Sequence, residues 1–159
     1  MKENKLVHGH GINDVNYVIH KYEKVEGFKK TGYSKYKSVW VCPYYRKWTN
    51  MLNRVYNETY HKNQPTYKGS SVCNEWLIFS NFIEWVDSQP EKDWINLQLD
   101  KDFLIEGNKY YSPNTVVFVS GGLNTFIKGS ENSKYLQGVT YMKNNKANHY
   151  MAQCKDPFR

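Results

Sequence analysis

Arginine is scarce in this chain: of 22 basic residues only Arg46, Arg54 and Arg159 carry a guanidinium, and the rest are lysines. Lysine is a compact point charge suited to phosphate, whereas the planar arginine fork reads guanine edges, so contact with a polyanion backbone is favoured over base reading. Cysteine is scarcer still. Cys42, Cys73 and Cys154 are odd in number and contain no C-x-x-C pair, which signals neither a disulfide framework nor a zinc ribbon and leaves buried free thiols as the expectation. No stretch approaches the roughly 20 apolar residues of a membrane span. The N-terminal MKENKLVHGHG also lacks the apolar segment of a signal peptide, so a soluble, intracellular protein without membrane contact is expected. At 159 residues the chain holds one good core or two small ones, which excludes a large multidomain enzyme. Hydrophobic content of 40% and aromatic content of 16% exclude a disordered chain. The net charge of +7 points to polyanions or acidic protein surfaces as partners.

From Met1 to about Tyr36 the sequence mixes glycine, lysine and tyrosine without sustained periodicity and reads as an extended arm with short strands. His8 and His10 in it form an H-x-H pair that is either a metal ligand pair or two solvated tail residues. Over 44–59, Tyr44, Trp48, Met51, Leu52, Val55 and Tyr56 recur at helical spacing, with Arg46, Asn50, Asn53, Arg54 and Asn57 on the opposite face. That outer face is either simply solvated or suited to following phosphates. Pro65 and Gly69 then break the chain, and Asn74 is placed to cap a second helix over 75–88. Trp76, Phe79, Phe82, Ile83 and Val86 form its core stripe, and Gln89-Pro90 stops it. Leu97-Gln98-Leu99 alternates as a strand, Gly107-Asn108 and Ser112-Pro113-Asn114 mark turns, and Val116 to Val119 reads as a strand ended by Gly121-Gly122. Around Asn144-Asn145, YLQGVTYMKNNKANHYMAQC has two alternating arms and reads as a β-hairpin.

Three blocks, CPYYRKWTNMLNRVY, PTYKGSSVCNEWLIFSNFIEW and LDKDFLIEGNKYYSPNTVVFV, carry a resemblance to the phage-encoded HNH endonuclease-like family. The shared features are a W-x-x-M-L-x-R helix, a V-C-x-E-W-x-x-F-x-x-F helix and an L-D-(K/R)-D…G-N-x-x-Y-S-P-x-T element in this order, over roughly Cys42 to Ile127. The last block of about 20 residues is similar to the opening strands of an ethylene-response-factor-type DNA-binding domain. Arg159 comes before that module's third strand and packing helix, so an incomplete module is expected. The implied architecture is α+β. An N-terminal arm (1–36) precedes a small HNH-like domain of ββα-metal type with two flanking amphipathic helices (37–130), and a C-terminal β-hairpin follows (131–159).

An HNH site uses one divalent cation, Mg²⁺ or Mn²⁺, against the scissile phosphate and a histidine that takes a proton from the attacking water. The resemblance implies Asp100 and Asn114 as metal ligands, and it puts Lys101 at the position of the base. A protonated lysine cannot accept that proton, and the neighbouring Asp100 and Asp102 favour its ammonium form. His61 is the nearest other base within the blocks. Structural roles are also open for these residues: Asp100 pairing with Lys101 or capping a turn, Asn108 and Asn114 as turn residues. Arg46, Lys47, Arg54, Lys62, Lys68, Lys101 and Lys109 are interleaved with Tyr60, Tyr67, Tyr110 and Tyr111 and form a candidate phosphate-binding group.

Three functions follow as expectations. The first is a phage-type DNA-binding protein on a catalytically degenerate HNH scaffold. The second is an anti-defence effector that binds and inhibits a nucleic-acid-dependent protein complex in the cytoplasm of the host cell. The third is a metal-dependent nicking endonuclease. No small-molecule cofactor is expected in any of them.

Overall fold

The computed structural model of the chain describes residues 6–25, 35–128, 139–141 and 150–152. Strands β1 (His20–Lys24) and β2 (Tyr36–Val41) pair antiparallel across the boundary expected at 36/37. Helix α1 (Pro43–Tyr56) follows, with proline in its first turn, where the missing N–H costs nothing. Its apolar spacing buries Trp48, Met51, Leu52 and Val55.

The single helix expected over 44–59 is two. Asn57 has an extended backbone, and its side chain accepts from Thr59 N at 2.9 Å and Tyr60 N at 3.1 Å, so it caps a new helix α2 (Glu58–Asn63) instead of prolonging α1. A 3-10 turn over Pro65–Tyr67 and Gly69, in the left-handed region at φ 78°, lead to β3 (Ser71–Val72). The helix expected over 75–88 starts late. Asn74–Leu77 is a 3-10 turn, Ile78 is extended, and α3 spans Phe79–Ser88 up to the residue before Pro90.

Asn74 does not cap α3; a residue far upstream does. Asp14 accepts from Ser80 N at 2.9 Å and from Ser80 Oγ at 2.5 Å. It is held there by backbone pairing on both sides of Ile78: Ile12 N donates to Leu77 O at 2.7 Å, and Phe79 N donates to Ile12 O at 3.0 Å. Gly11 passes so close beneath α1 that a Cβ on it would meet Leu52 Cδ1 at 2.4 Å and Trp48 Cη2 at 2.8 Å. Residues 6–19, read as part of an extended arm, are therefore joined to the core, with Val7, Val15 and Ile19 packed against it.

Beyond a 3-10 turn at Trp94–Asn96 come β4 (Gln98–Asp100), β5 (Tyr110–Tyr111), β6 (Val117–Val119) and α4 (Gly121–Lys128). β3 lies parallel to β5, and β4 lies antiparallel to β6 with Asp100 opposite Val117. Gly121-Gly122, expected to end a strand, opens α4 because Ser120 Oγ accepts from Leu123 N at 3.1 Å in the manner of an N-cap. β7 (Val139–Tyr141) and β8 (Tyr150–Ala152) pair antiparallel with Tyr141 opposite Tyr150, so the two arms expected to form a hairpin are paired. The turn expected at Asn144-Asn145, and Cys154, lie outside the described residues.

The core is aromatic. Trp48 contacts Phe79 with centroids 5.0 Å apart, Trp76 contacts Trp85 at 4.6 Å, and Trp85 reaches Phe118 of β6 at 5.5 Å. Trp48 Nε1 donates to Trp76 O at 2.6 Å, which satisfies the one polar atom of a fully buried ring. Ile83 is only partly buried beside this cluster, and Cys42 and Cys73 are buried free thiols. Among the described residues no helix is long and apolar enough to cross a membrane.

Candidate functional site

Strand β4 ends in Asp100 because its carboxylate turns back on the chain. Oδ1 accepts from the amides of Asp102 at 2.7 Å and Phe103 at 2.9 Å, which closes the first bend of the β4–β5 loop. Lys101, the residue at the expected base position, is only 5% exposed. Its ammonium donates to Asp102 Oδ1 at 2.7 Å, to Asp102 Oδ2 at 2.8 Å and to the carbonyl of Asn108. Asn108 returns the bond: its Nδ2 donates to Lys101 O at 2.9 Å and to Tyr110 O at 2.8 Å, while its Oδ1 accepts from Tyr110 N at 2.9 Å. Gly107 at φ 70° makes the reversal possible. The loop 101–108 is thus stapled by a lysine–aspartate pair and an asparagine, and Lys101 offers no lone pair for a proton.

Asp100 and Asn114 lie at the same end of the β4–β6 ladder, since Asp100 is opposite Val117, three residues beyond Asn114. Mg²⁺ and Mn²⁺ call for several oxygen ligands in octahedral array. Here one Asp100 oxygen already serves two amides, the Asp102 carboxylate is bound to Lys101, and Asn114 is exposed. Among the described residues no group of three or more His, Cys, Asp or Glu converges. This donor set does not make a site for such an ion. His8 and His10 belong to no such group, and the ring of His10 stacks on Tyr56 with centroids 3.8 Å apart.

His61, on α2, is 2.7 Å from the Arg54 carbonyl through Nε2. A carbonyl only accepts, so Nε2 carries the hydrogen and only Nδ1 remains to take a proton. Arg54 itself points inward. Its Nη1 donates to Leu99 O at 3.3 Å, it bonds the Tyr111 hydroxyl, and its Cζ lies 5.3 Å from the Tyr67 ring centroid. Lys101 Nζ lies 5.9 Å from the same ring. Burial works against the Arg54 charge, but the phenols of Tyr67 and Tyr111 outweigh it and hold the guanidinium above its ordinary value. Burial pushes the Tyr111 phenol up, an effect that Arg54 only partly offsets.

Seven residues earlier on the same helical face, Lys47 donates to Leu97 O, and burial followed by repulsion from Arg46 and Arg54 lowers its proton affinity. Carbonyls two residues apart on a strand point the same way. Lys47 and Arg54 therefore brace α1 against one edge of β4.

No family model, curated protein or solved structure matches the chain.

The remaining candidate cations, Arg46, Lys62, Lys68 and Lys109, are exposed. Three of them come from neighbouring elements. Lys109 immediately precedes β5, and Lys68 lies three residues before its parallel partner β3, where Ser71 N donates to Lys109 O at 2.8 Å and Lys109 Nζ to Thr66 O. Lys62 comes from α2, which is joined to the Pro65–Tyr67 turn through Tyr60 and Tyr67 at 5.6 Å. Arg46 stands apart, about 12 Å along α1 from Arg54 at 1.5 Å per residue. The D-K-D adjacency marked Asp102 as a charge beside Lys101 and the sequence grouped Tyr67 with the cations, but it did not show that Asp102 binds Lys101 through both carboxylate oxygens, or that one ring lies under two cations. Where Tyr67 points depends on where the 3-10 turn lands.

Proposed function

We propose that the chain is a phage-type DNA-binding protein on an HNH-like scaffold that holds duplex phosphates without cleaving them. The observation that carries this reading is Lys101: at the position where the resemblance puts a base stands a buried ammonium bonded to Asp102 and to Asn108 O. Two further features support it. The antiparallel pair β4–β6 with α4 after it, β5 intervening between the two strands in the chain, is compatible with the strand–strand–helix order implied for such a scaffold. The exposed Lys62, Lys68 and Lys109 form a basic group suited to a phosphate backbone.

A duplex titration against salt tests it. Log affinity should fall linearly with log salt, with a slope of about −0.9 per phosphate neutralised, and should vary little with sequence. The double substitution Lys62→Glu with Lys68→Glu should weaken binding to all sequences alike and make the slope shallower. Salt-insensitive binding contradicts the reading. A second reading, a host-directed effector that docks on a defence protein, draws support from the consecutive exposed apolar residues Phe103, Leu104 and Ile105 in the stapled loop. Absence of duplex binding at about 50 mM salt would promote it to first place.

A further inference from the structure

The β1–β2 ribbon exposes what proteins ordinarily bury. Tyr22 is 56% exposed, Tyr36 52% and Trp40 40%, although two strands alone are marginal in water and gain from covering such rings. The ribbon is also strongly basic, with Lys21, Lys24, Lys35 and Lys37 against Glu23 among its described residues. Register interleaves the two kinds of side chain. Trp40 lies directly across from Lys21, and Tyr36 across from Lys24, so each ring shares a face with an ammonium group. Lys21 Nζ is 5.3 Å from the Trp40 ring centroid, and Tyr22 is steadied by His20, whose Nδ1 is 2.5 Å from the Tyr22 hydroxyl. His20 in turn meets the ring of Tyr45 edge-on at 5.5 Å, which ties the ribbon to α1.

From this pattern we infer that the ribbon is a binding platform for single-stranded nucleic acid, in which Trp40, Tyr36 and Tyr22 stack on unpaired bases while Lys21 and Lys24, on the same face, meet the phosphates. Interleaved rings and cations are what a sequence-tolerant single-strand surface needs, because every base has a π-face and every nucleotide a charge. A protein partner fits less well, since lysine is depleted from the centres of protein interfaces. A duplex fits less well too, since its base faces are stacked on one another and offer flat rings no partner. The inference goes beyond the duplex reading and does not depend on it, because it uses other residues on other elements.

The ribbon supplies its own reporter. Of the five tryptophans, Trp48, Trp76, Trp85 and Trp94 are buried and Trp40 is exposed. Titration of the full chain with an oligothymidylate of about 12 nucleotides should quench tryptophan emission, and Trp40→Phe should remove the quench while anisotropy of a labelled strand still shows binding. Trp40→Ala with Tyr36→Ala should weaken that binding about tenfold or more. Lys21→Glu with Lys24→Glu leaves every ring in place and should weaken it as well, so the test survives a misfolded double-alanine variant. The ribbon variants should leave duplex affinity unchanged, and Lys62→Glu with Lys68→Glu should leave oligothymidylate affinity unchanged. No binding of oligothymidylate, binding without quenching, or equal quenching by a blunt duplex would overturn the inference. Loss of duplex binding alone would overturn only the proposed function.

Discussion

A lysine brought to 5% exposure must have its ammonium fully bonded, and Lys101 meets that requirement with the Asp102 carboxylate and the Asn108 carbonyl. The arrangement makes the residue structural. Lys101→Met removes the ammonium and keeps the stem, which leaves a carboxylate and a carbonyl without their donor, at a cost of about 1–3 kcal/mol. Urea unfolding should show that loss as a lower midpoint with an unchanged slope. A Lys101→Met protein as stable as the parent would mean that the staple contributes nothing and that the lysine is free for another task. Arg54 belongs to the same logic: its bonds to Leu99 O and Tyr111 and its place over Tyr67 are those of a side chain that joins α1 to β4.

Among the elements, α3 depends on a cap that comes from far upstream. Burial works to raise the Asp14 carboxyl, but the hydrogen bonds from Ser80 outweigh it and hold it below the ordinary carboxylate range. A depressed folded value means that the contribution of Asp14 is complete above the unfolded value of about 3.9 and is lost as pH falls through the folded value. Asp14→Ala should therefore destabilise the chain at pH 6 and cost progressively less toward pH 2; a cost independent of pH would contradict the charged cap. Local signals carried much of this layer. The spacing of Trp48, Leu52 and Val55 marks α1, Gln89-Pro90 marks the end of α3, and alternation marks β4 and the C-terminal hairpin. What the sequence concealed was competition between neighbours. Asn57 could continue α1 or cap α2, Asn74 could cap α3 or begin a 3-10 turn, and Gly121-Gly122 could end β6 or open α4. Each was decided by a partner that one-dimensional periodicity does not reveal, such as Asp14 at Ser80 or Ser120 at Leu123.

At the scale of the whole molecule, the candidate site was legible as a list of residues but not as a division of labour. The sequence placed Asp100, Lys101, Arg54 and His61 in blocks that fold together, and the structure gathers them around Tyr67 and the end of β4. Their roles there are inward: a bend closed by Asp100, a staple by Lys101, a brace by Arg54, and a histidine donating to Arg54 O. Burial separates these from the exposed Arg46, Lys62, Lys68 and Lys109, and burial of a lysine cannot be read from its letter. Binding without cleavage is the central claim, and a supercoiled plasmid incubated with the full chain in Mg²⁺ or Mn²⁺ tests both halves of it at once. The result expected is a salt-sensitive mobility shift that leaves the plasmid supercoiled after the protein is stripped away. Conversion to open circles with Mg²⁺, abolished by Asp100→Ala, would contradict it.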